Sequence, residues 1–287
     1  MKNLASISVI KEILASTGFR FSKSLGQNFL IDEGVLEQIV QSSLIDKDTC
    51  ALEVGPGFGT LTQRLCMAAK KVVAVEIDSS AIPILSENLS EFDNLTIIND
   101  DVLKCDLSAI IKDNFGTDKV RVAANLPYYI TTPIIMHILE AHLNIESLTV
   151  MIQKEVAMRI GAKAGTKDYG ALTVAVNYYS EPEIITHVPP SAFIPQPKVS
   201  STVIKLNLRD KPPVEVISEK GFFAVVRASF AQRRKTLLNA LSNSGEIPLS
   251  REAVAKVLSE CGIDPQRRGE TLSIDDFANV SNKIFQK

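Results

Sequence analysis

From Cys50 onward the chain alternates short β-rich runs with helical patterns: CALEVG before a helical stretch at 60–70, KVVAVEID before one at 79–92, LTIIND, VRVAANLP before one at 131–143, and SLTVMIQ. Few folds accommodate that rhythm. Parallel neighbours need crossovers long enough to hold a helix, and the helices then cover both faces of the sheet. The expected class is α/β, a Rossmann-like, mainly parallel sheet, with ligands bound where the strands end at their carboxyl edge.

Two later runs, 171–179 and 201–208, read as further strands around a proline-rich loop at 188–199. Arg209-Asp210-Lys211-Pro212-Pro213 then reads as a linker, beyond which Phe222, Val225, Val226, Ser229 and Phe230 fall at helical spacing. The expectation is a catalytic domain over 1–208 and a small all-helical domain over 209–287. Charge divides the same way: the first segment holds 18 Lys and Arg against 23 Asp and Glu, the second 13 against 10. The basic end is the helical one, which suits a polyanionic partner.

Several function classes fall away. The apolar stretch 121–143 is interrupted by Asn125, Pro127, Pro133, His137 and Glu140, short of the ~20 clean apolar residues of a membrane span. Lys11 and Glu12 end the mildly apolar start before any signal-peptide pattern develops, so a cytoplasmic protein with no membrane partner is expected. The four cysteines (Cys50, Cys66, Cys105, Cys261) and three histidines are scattered without ligand spacing; no metal and no disulfide framework is expected.

The first strong strand runs into Glu53-Val54-Gly55-Pro56-Gly57-Phe58-Gly59. Glycines there permit positive φ and close backbone approach, and the following helix offers free N–H groups. The next strand ends in Glu76, close to the spacing at which a carboxylate accepts ribose hydroxyls. A third ends in Asp100-Asp101, where a carboxylate can accept an exocyclic adenine amine; an isolated Asp pair is more commonly a solvated turn, and only its place in the series of strand ends favours the ligand. The third glycine comes one residue too early for a dinucleotide turn, and Glu53 suits a cationic ligand. Gly55, Gly57, Glu76 and Asp101 together point to S-adenosylmethionine.

Asn125-Leu126-Pro127-Tyr128 follows the fourth strand. Adenine's exocyclic nitrogen is a poor nucleophile because its lone pair is delocalised into the ring. An Asn oxygen and a backbone carbonyl accepting its two N–H bonds favour a tetrahedral nitrogen, proline stiffens the loop, and Tyr128 offers a stacking face.

These segments, with Ser24-Leu25-Gly26-Gln27-Asn28-Phe29-Leu30, Gln153-Lys154-Glu155-Val156-Ala157, Phe193-Ile194-Pro195-Gln196-Pro197-Lys198-Val199 and Ala231-Gln232-Arg233-Arg234-Lys235-Thr236-Leu237, carry a resemblance to the ribosomal RNA adenine dimethyltransferases, most closely the bacterial small-subunit (16S) type. The resemblance implies a class I methyltransferase sheet, cofactor contacts at Asn28, Leu30 and Asn125 besides those above, and Phe193 covering the target adenine opposite Tyr128. A buried loop anchor is the structural alternative for Phe193. It further implies, as substrate, two adjacent adenines in a hairpin loop near the 3′ end of 16S rRNA within the small subunit, each doubly methylated by a monomeric enzyme.

Arg227 and Arg234 are seven residues apart, one helix face, with Arg233 and Lys235 beside them; phosphate contact is expected there, extended by Lys23, Lys198 and Arg159, with Arg267-Arg268 as a helix-end alternative. The rival readings are a large-subunit (23S) adenine methyltransferase of the antibiotic-resistance type and a non-catalytic nucleic-acid-binding factor on the same fold.

Overall fold

The computed structural model describes residues 2–19 and 25–286. The chain divides into two compact units, one of Met1–Ala157 with Glu181–Leu208 and one of Met158–Ser180 with Arg209–Lys287.

The first unit carries a seven-stranded sheet. Its strands are β2 (Cys50–Val54), β3 (Lys71–Glu76), β4 (Leu95–Asn99), β5 (Val120–Asn125), β6 (Ile145–Gln153), β7 (Ser180–Val188) and β9 (Ser201–Leu208), in the spatial order β4-β3-β2-β5-β6-β9-β7. The strands from β4 to β6 are mutually parallel, and β9 runs antiparallel to β6. A separate two-stranded ribbon joins β1 (Phe29–Leu30) to β8 (Phe193–Ile194), pairing Leu30 with Phe193.

The central strands are apolar on both sides because both sides are covered: Leu52 and Val122 are as fully buried as Ala51 and Ala123. Leu36, Ile39 and Val40 of the helix Glu33–Ser43 and Leu61 and Leu65 of the helix Thr60–Ala68 pack with Ala51, Val72, Ala123, Met151 and Val203. At ~25 cal/mol per Å² of apolar surface, each such large side chain contributes roughly 1.5–3 kcal/mol. That burial holds the strand ends in register and so fixes the loops that follow them.

The run at 171–179, expected as a strand, is a helix, Ala171–Tyr179, and belongs with the second unit rather than the sheet. Leu172, Thr173, Val174, Ala175, Val176, Tyr178 and Tyr179 are all buried, so the helix is apolar almost all round. Such a segment has no amphipathic period, and its β-branched and aromatic content then imitates a buried strand. The helical unit thus extends beyond 209–287, taking in 158–180.

In that unit Tyr178 stacks on Phe222 at 5.0 Å between ring centroids, and Phe230 meets Phe277 at 5.7 Å. The helices Glu219–Phe230, Leu237–Ser242, Arg251–Glu260 and Ile274–Phe285 each begin after a Ser or Thr (Ser218, Thr236, Ser250, Ser273) whose hydroxyl accepts a first-turn N–H. Each cap satisfies a donor the helix cannot, worth ~1 kcal/mol, and sets where the helix starts.

Candidate active site

A cleft opens at the carboxyl ends of the parallel strands, walled by Leu25–Phe29, the Gly55 turn, Glu76, Asp100–Val102 and Asn125–Ile130. Gly55, with φ +71°, donates its N–H to Val75 O at 2.9 Å, and a β-carbon built there meets nothing within 4 Å. Glycine leaves that space to a ligand. Gly57, with φ +57°, is demanded by packing instead: a β-carbon would lie 2.4 Å from the Phe29 ring, which stacks on Phe58 at 4.3 Å.

Glu76 is 5% exposed. Its Oε2 accepts the Gly57 N–H at 3.0 Å and its Oε1 the Asp78 N–H at 2.8 Å, which clamps the glycine turn to the end of β3. Burial raises its carboxyl above the ordinary range, partly offset by those backbone donors. Each oxygen keeps a lone pair for a further donor such as a ribose hydroxyl. Asp101 accepts the Leu103 N–H at 3.1 Å and pairs with Lys104 at 3.1 Å; chiefly the Leu103 donor holds it below the usual carboxylate range.

Glu53 departs from the reading that put its charge beside a cationic ligand. It is 1% exposed, does not line the cleft, and its Oε2 has no hydrogen-bond partner. Burial, reinforced by the neighbouring Glu76 charge, pushes its carboxyl up to about 8, so it is mostly neutral at pH 7.

At the end of β5, Asn125 Nδ2 donates to Asn28 O at 2.9 Å, across 97 residues of sequence. With the amide nitrogen committed to that carbonyl, Oδ1 is the atom left to accept from a substrate. Leu126 is anchored by its N–H to Met151 O at 3.1 Å and is buried. The Pro127 carbonyl accepts from Thr131 Oγ1 at 2.9 Å and from the Ile130 N–H at 3.3 Å, so the backbone acceptor beside Asn125 is the Leu126 carbonyl. Tyr128 lines the cleft, and its hydroxyl lies 2.5 Å from Ser201 Oγ.

Leu30 and Phe193 are not among the cleft-lining residues. Their side chains are 1% and 0% exposed and share a core cluster with Val35, Leu36 and Ile39. Phe193 is buried beside its ribbon partner Leu30, as a loop anchor is. Residue type and spacing alone do not reveal Asn28, which only the resemblance supplies. Nor do they reveal Gln27, whose Nε2 bonds Asp78 Oδ2 at 2.7 Å, or Tyr129, which is 53% exposed at the cleft. No local pattern marks Asn28 and Gln27, because their partners lie in distant strand ends.

The basic residues sort differently from expectation. The helix ends at Phe230, so Arg233, Arg234 and Lys235 occupy the turn before Leu237 and share no helix face with Arg227. Arg227 forms an ion pair with Glu246, Nε to Oε1 at 3.2 Å, and Arg233 donates to Lys167 O. Arg234, Lys235, Lys198 and Arg159 are exposed. Arg267 bonds Thr271 Oγ1 at 3.1 Å and Arg268 approaches Glu270 at 4.0 Å, both from the coil that follows Arg251–Glu260 rather than from a helix end. Lys23 lies outside the described residues.

All four cysteines are free thiols. Among the described residues no group of three or more His, Cys, Asp or Glu is placed to hold a metal ion, and no helix is long and apolar enough to cross a membrane.

A parallel sheet with an antiparallel strand beside β6, a glycine turn after β2, an acid ending β3 and an Asn-x-Pro-Tyr loop after β5 define a class I methyltransferase. Two solved structures share the fold: a dimethyladenosine transferase from Plasmodium falciparum, TM-score 0.75 at 25% identity over 88% of this chain and 95% of that one, and the 23S rRNA methyltransferase ErmE, TM-score 0.67 at 27% identity over 90% and 100%. Residues 18–286 match the family model described as ribosomal RNA adenine dimethylase, and the chain belongs to that family. Curated relatives named ribosomal RNA small subunit methyltransferase A include one from Bacillus cytotoxicus, 54% identical, and one from Geobacillus thermodenitrificans, 55% identical, each matched over 99% of this chain and 98% of its own length.

Proposed function

We propose that this chain uses S-adenosylmethionine to dimethylate N6 of two adjacent adenines near the 3′ end of 16S rRNA in the small ribosomal subunit. The carrying observation is the Asn125 amide, whose nitrogen is bound by Asn28 O so that its oxygen is left to accept an adenine N–H. Relatives above 50% identity over nearly the whole chain bear the small-subunit name, which favours that substrate over the 23S rRNA of ErmE, a protein only 27% identical.

The cleft fits the donor. Gly55 leaves open space where any side chain would intrude, Glu76 offers its remaining lone pairs beside the turn for ribose hydroxyls, and Asp101 stays ionised to accept an amine. Asn28 and Gly57 also line the cleft. When bound, S-adenosylmethionine supplies a methyl group on a cationic sulfur. Asn125 Oδ1 and the Leu126 carbonyl accept the two N6–H bonds, turning the nitrogen lone pair away from the ring, while Pro127 fixes the loop and Tyr128 stacks the base. Positioning supplies most of the rate, and the chemistry calls for neither a strong base nor a metal. Exposed Arg234, Lys235 and Lys198, together with Arg233, contact phosphate. The enzyme acts as a cytoplasmic monomer.

The test is transfer of labelled methyl groups to unmodified small subunits, large subunits and free RNA, with nucleoside mass analysis. Dimethyladenosine from small-subunit material alone is expected; product from large-subunit RNA would transfer the assignment to the 23S type.

A further inference from the structure

Tyr128 carries a phenol where a plain phenyl ring would stack a base equally well, and the phenol is spent on one contact. Its hydroxyl lies 2.5 Å from Ser201 Oγ. Ser201 is 0% exposed, is the first residue of β9 and sits opposite Gln153 at the end of β6, next to the loop that carries Phe193. Burial raises the Tyr128 phenol above its ordinary value, so it stays protonated and able to donate at any physiological pH.

We infer that Ser201 is a positioning residue for methyl transfer, holding the Tyr128 ring in the plane on which the target adenine stacks. The loop 126–130 is otherwise held through its backbone, the buried Leu126 side chain and Thr131, whereas Ser201 belongs to a strand in full register with β6 and meets the tip of the Tyr128 ring. The hydroxyl pair therefore ties the tip of a loop side chain to the rigid sheet. Ring orientation matters because transfer needs the nitrogen lone pair aligned with the methyl group, and displacements of about 1 Å at a reacting centre cost up to ~100-fold in rate.

This rests on Tyr128 being the base platform, and the experiment separates the two ideas. Steady-state methyl transfer to unmodified small subunits is measured for Tyr128→Phe, Ser201→Ala, the double variant and Tyr128→Ala, with cofactor affinity and thermal midpoint recorded for each. The tether predicts that Tyr128→Phe and Ser201→Ala each lower kcat about ten-fold with KM for subunits and cofactor affinity nearly unchanged, since subunit affinity resides mainly in phosphate contacts. It also predicts that the double variant is no worse than either single one. Stability should behave oppositely. Ser201→Ala leaves the half-buried phenol without its partner and lowers the midpoint, while removing both hydroxyls restores it.

Activity that recovers with the midpoint in the double variant would show a merely structural bond and overturn the inference, as would additive losses or a normal kcat in Tyr128→Phe. Should Tyr128→Ala also turn over normally, the base-platform reading falls with it; if only Tyr128→Ala is impaired, the tether alone falls.

Discussion

Glu53→Gln should grow steadily more stable relative to wild type as pH rises. The Glu53 carboxyl is moved from 4.5 to about 8 by burial, a displacement of ~3.5 units or roughly 5 kcal/mol between its two protonation states. The unfolded chain releases this proton near 4.5 and the folded chain holds it to about 8, so between those values the folded state binds more protons. Stability must then fall with rising pH by ~1.4 kcal/mol per unit. The contribution is whole below 4.5 and lost as pH climbs to 8, opposite to a salt-bridged carboxylate. Glutamine keeps the shape and cannot ionise. Between pH 5 and 8 wild type should lose ~3 kcal/mol relative to Glu53→Gln, because the Glu76 carboxyl, also raised, is present in both proteins and largely cancels. Urea unfolding of both proteins without cofactor, at one-unit intervals from pH 5 to 8, measures the difference. A difference that stays flat, or grows toward low pH, would refute a neutral buried Glu53.

Asn125→Ala removes the Oδ1 acceptor and should cut methyl transfer about 100-fold while cofactor affinity, measured by calorimetry, weakens far less. Gly57→Ala forces a β-carbon to 2.4 Å from the Phe29 ring at a φ of +57°, so the thermal midpoint and cofactor affinity should fall together; a variant with both unchanged would show the turn is not held as described. Arg234→Glu reverses an exposed charge in the 231–236 turn and should weaken subunit binding with a shallower dependence on salt, whereas Arg227→Glu should mainly disturb its pairing with Glu246.

The sheet and the cleft were legible where information is local. A strand end and the turn after it form one contiguous string, so Gly55, Glu76, Asp101 and Asn125 could be placed from residue type and order, and all four line the cleft. Legibility failed where a neighbour decides. The Ala171–Tyr179 helix is enveloped on all sides and loses its period. Arg234 leaves the helix of Arg227 with no Gly or Pro to announce it; the only sign is Thr236, which caps the next helix by accepting from the Asn239 N–H. Phe193 occupies a motif that the resemblance placed over the target base, yet ribbon pairing with Leu30 draws its ring into the core. Glu53 looks like a charge in sequence and becomes a neutral acid only because the fold denies it water.

The ribbon of Phe29–Leu30 with Phe193–Ile194 also governs when the enzyme comes into being. The strand that borders the cofactor wall is synthesised about 160 residues before its partner. At ~5–20 residues per second, a nascent chain waits roughly 8–30 s with its N-terminal segment unpaired. Through that interval the glycine turn and the Asn125 loop can form, while the strand adjoining Asn28 lacks the partner that sets its register. Cofactor binding is therefore expected only from chains that extend past Phe193, and a ribosome-bound fragment ending before it should carry the sequence of the cleft without its closed wall.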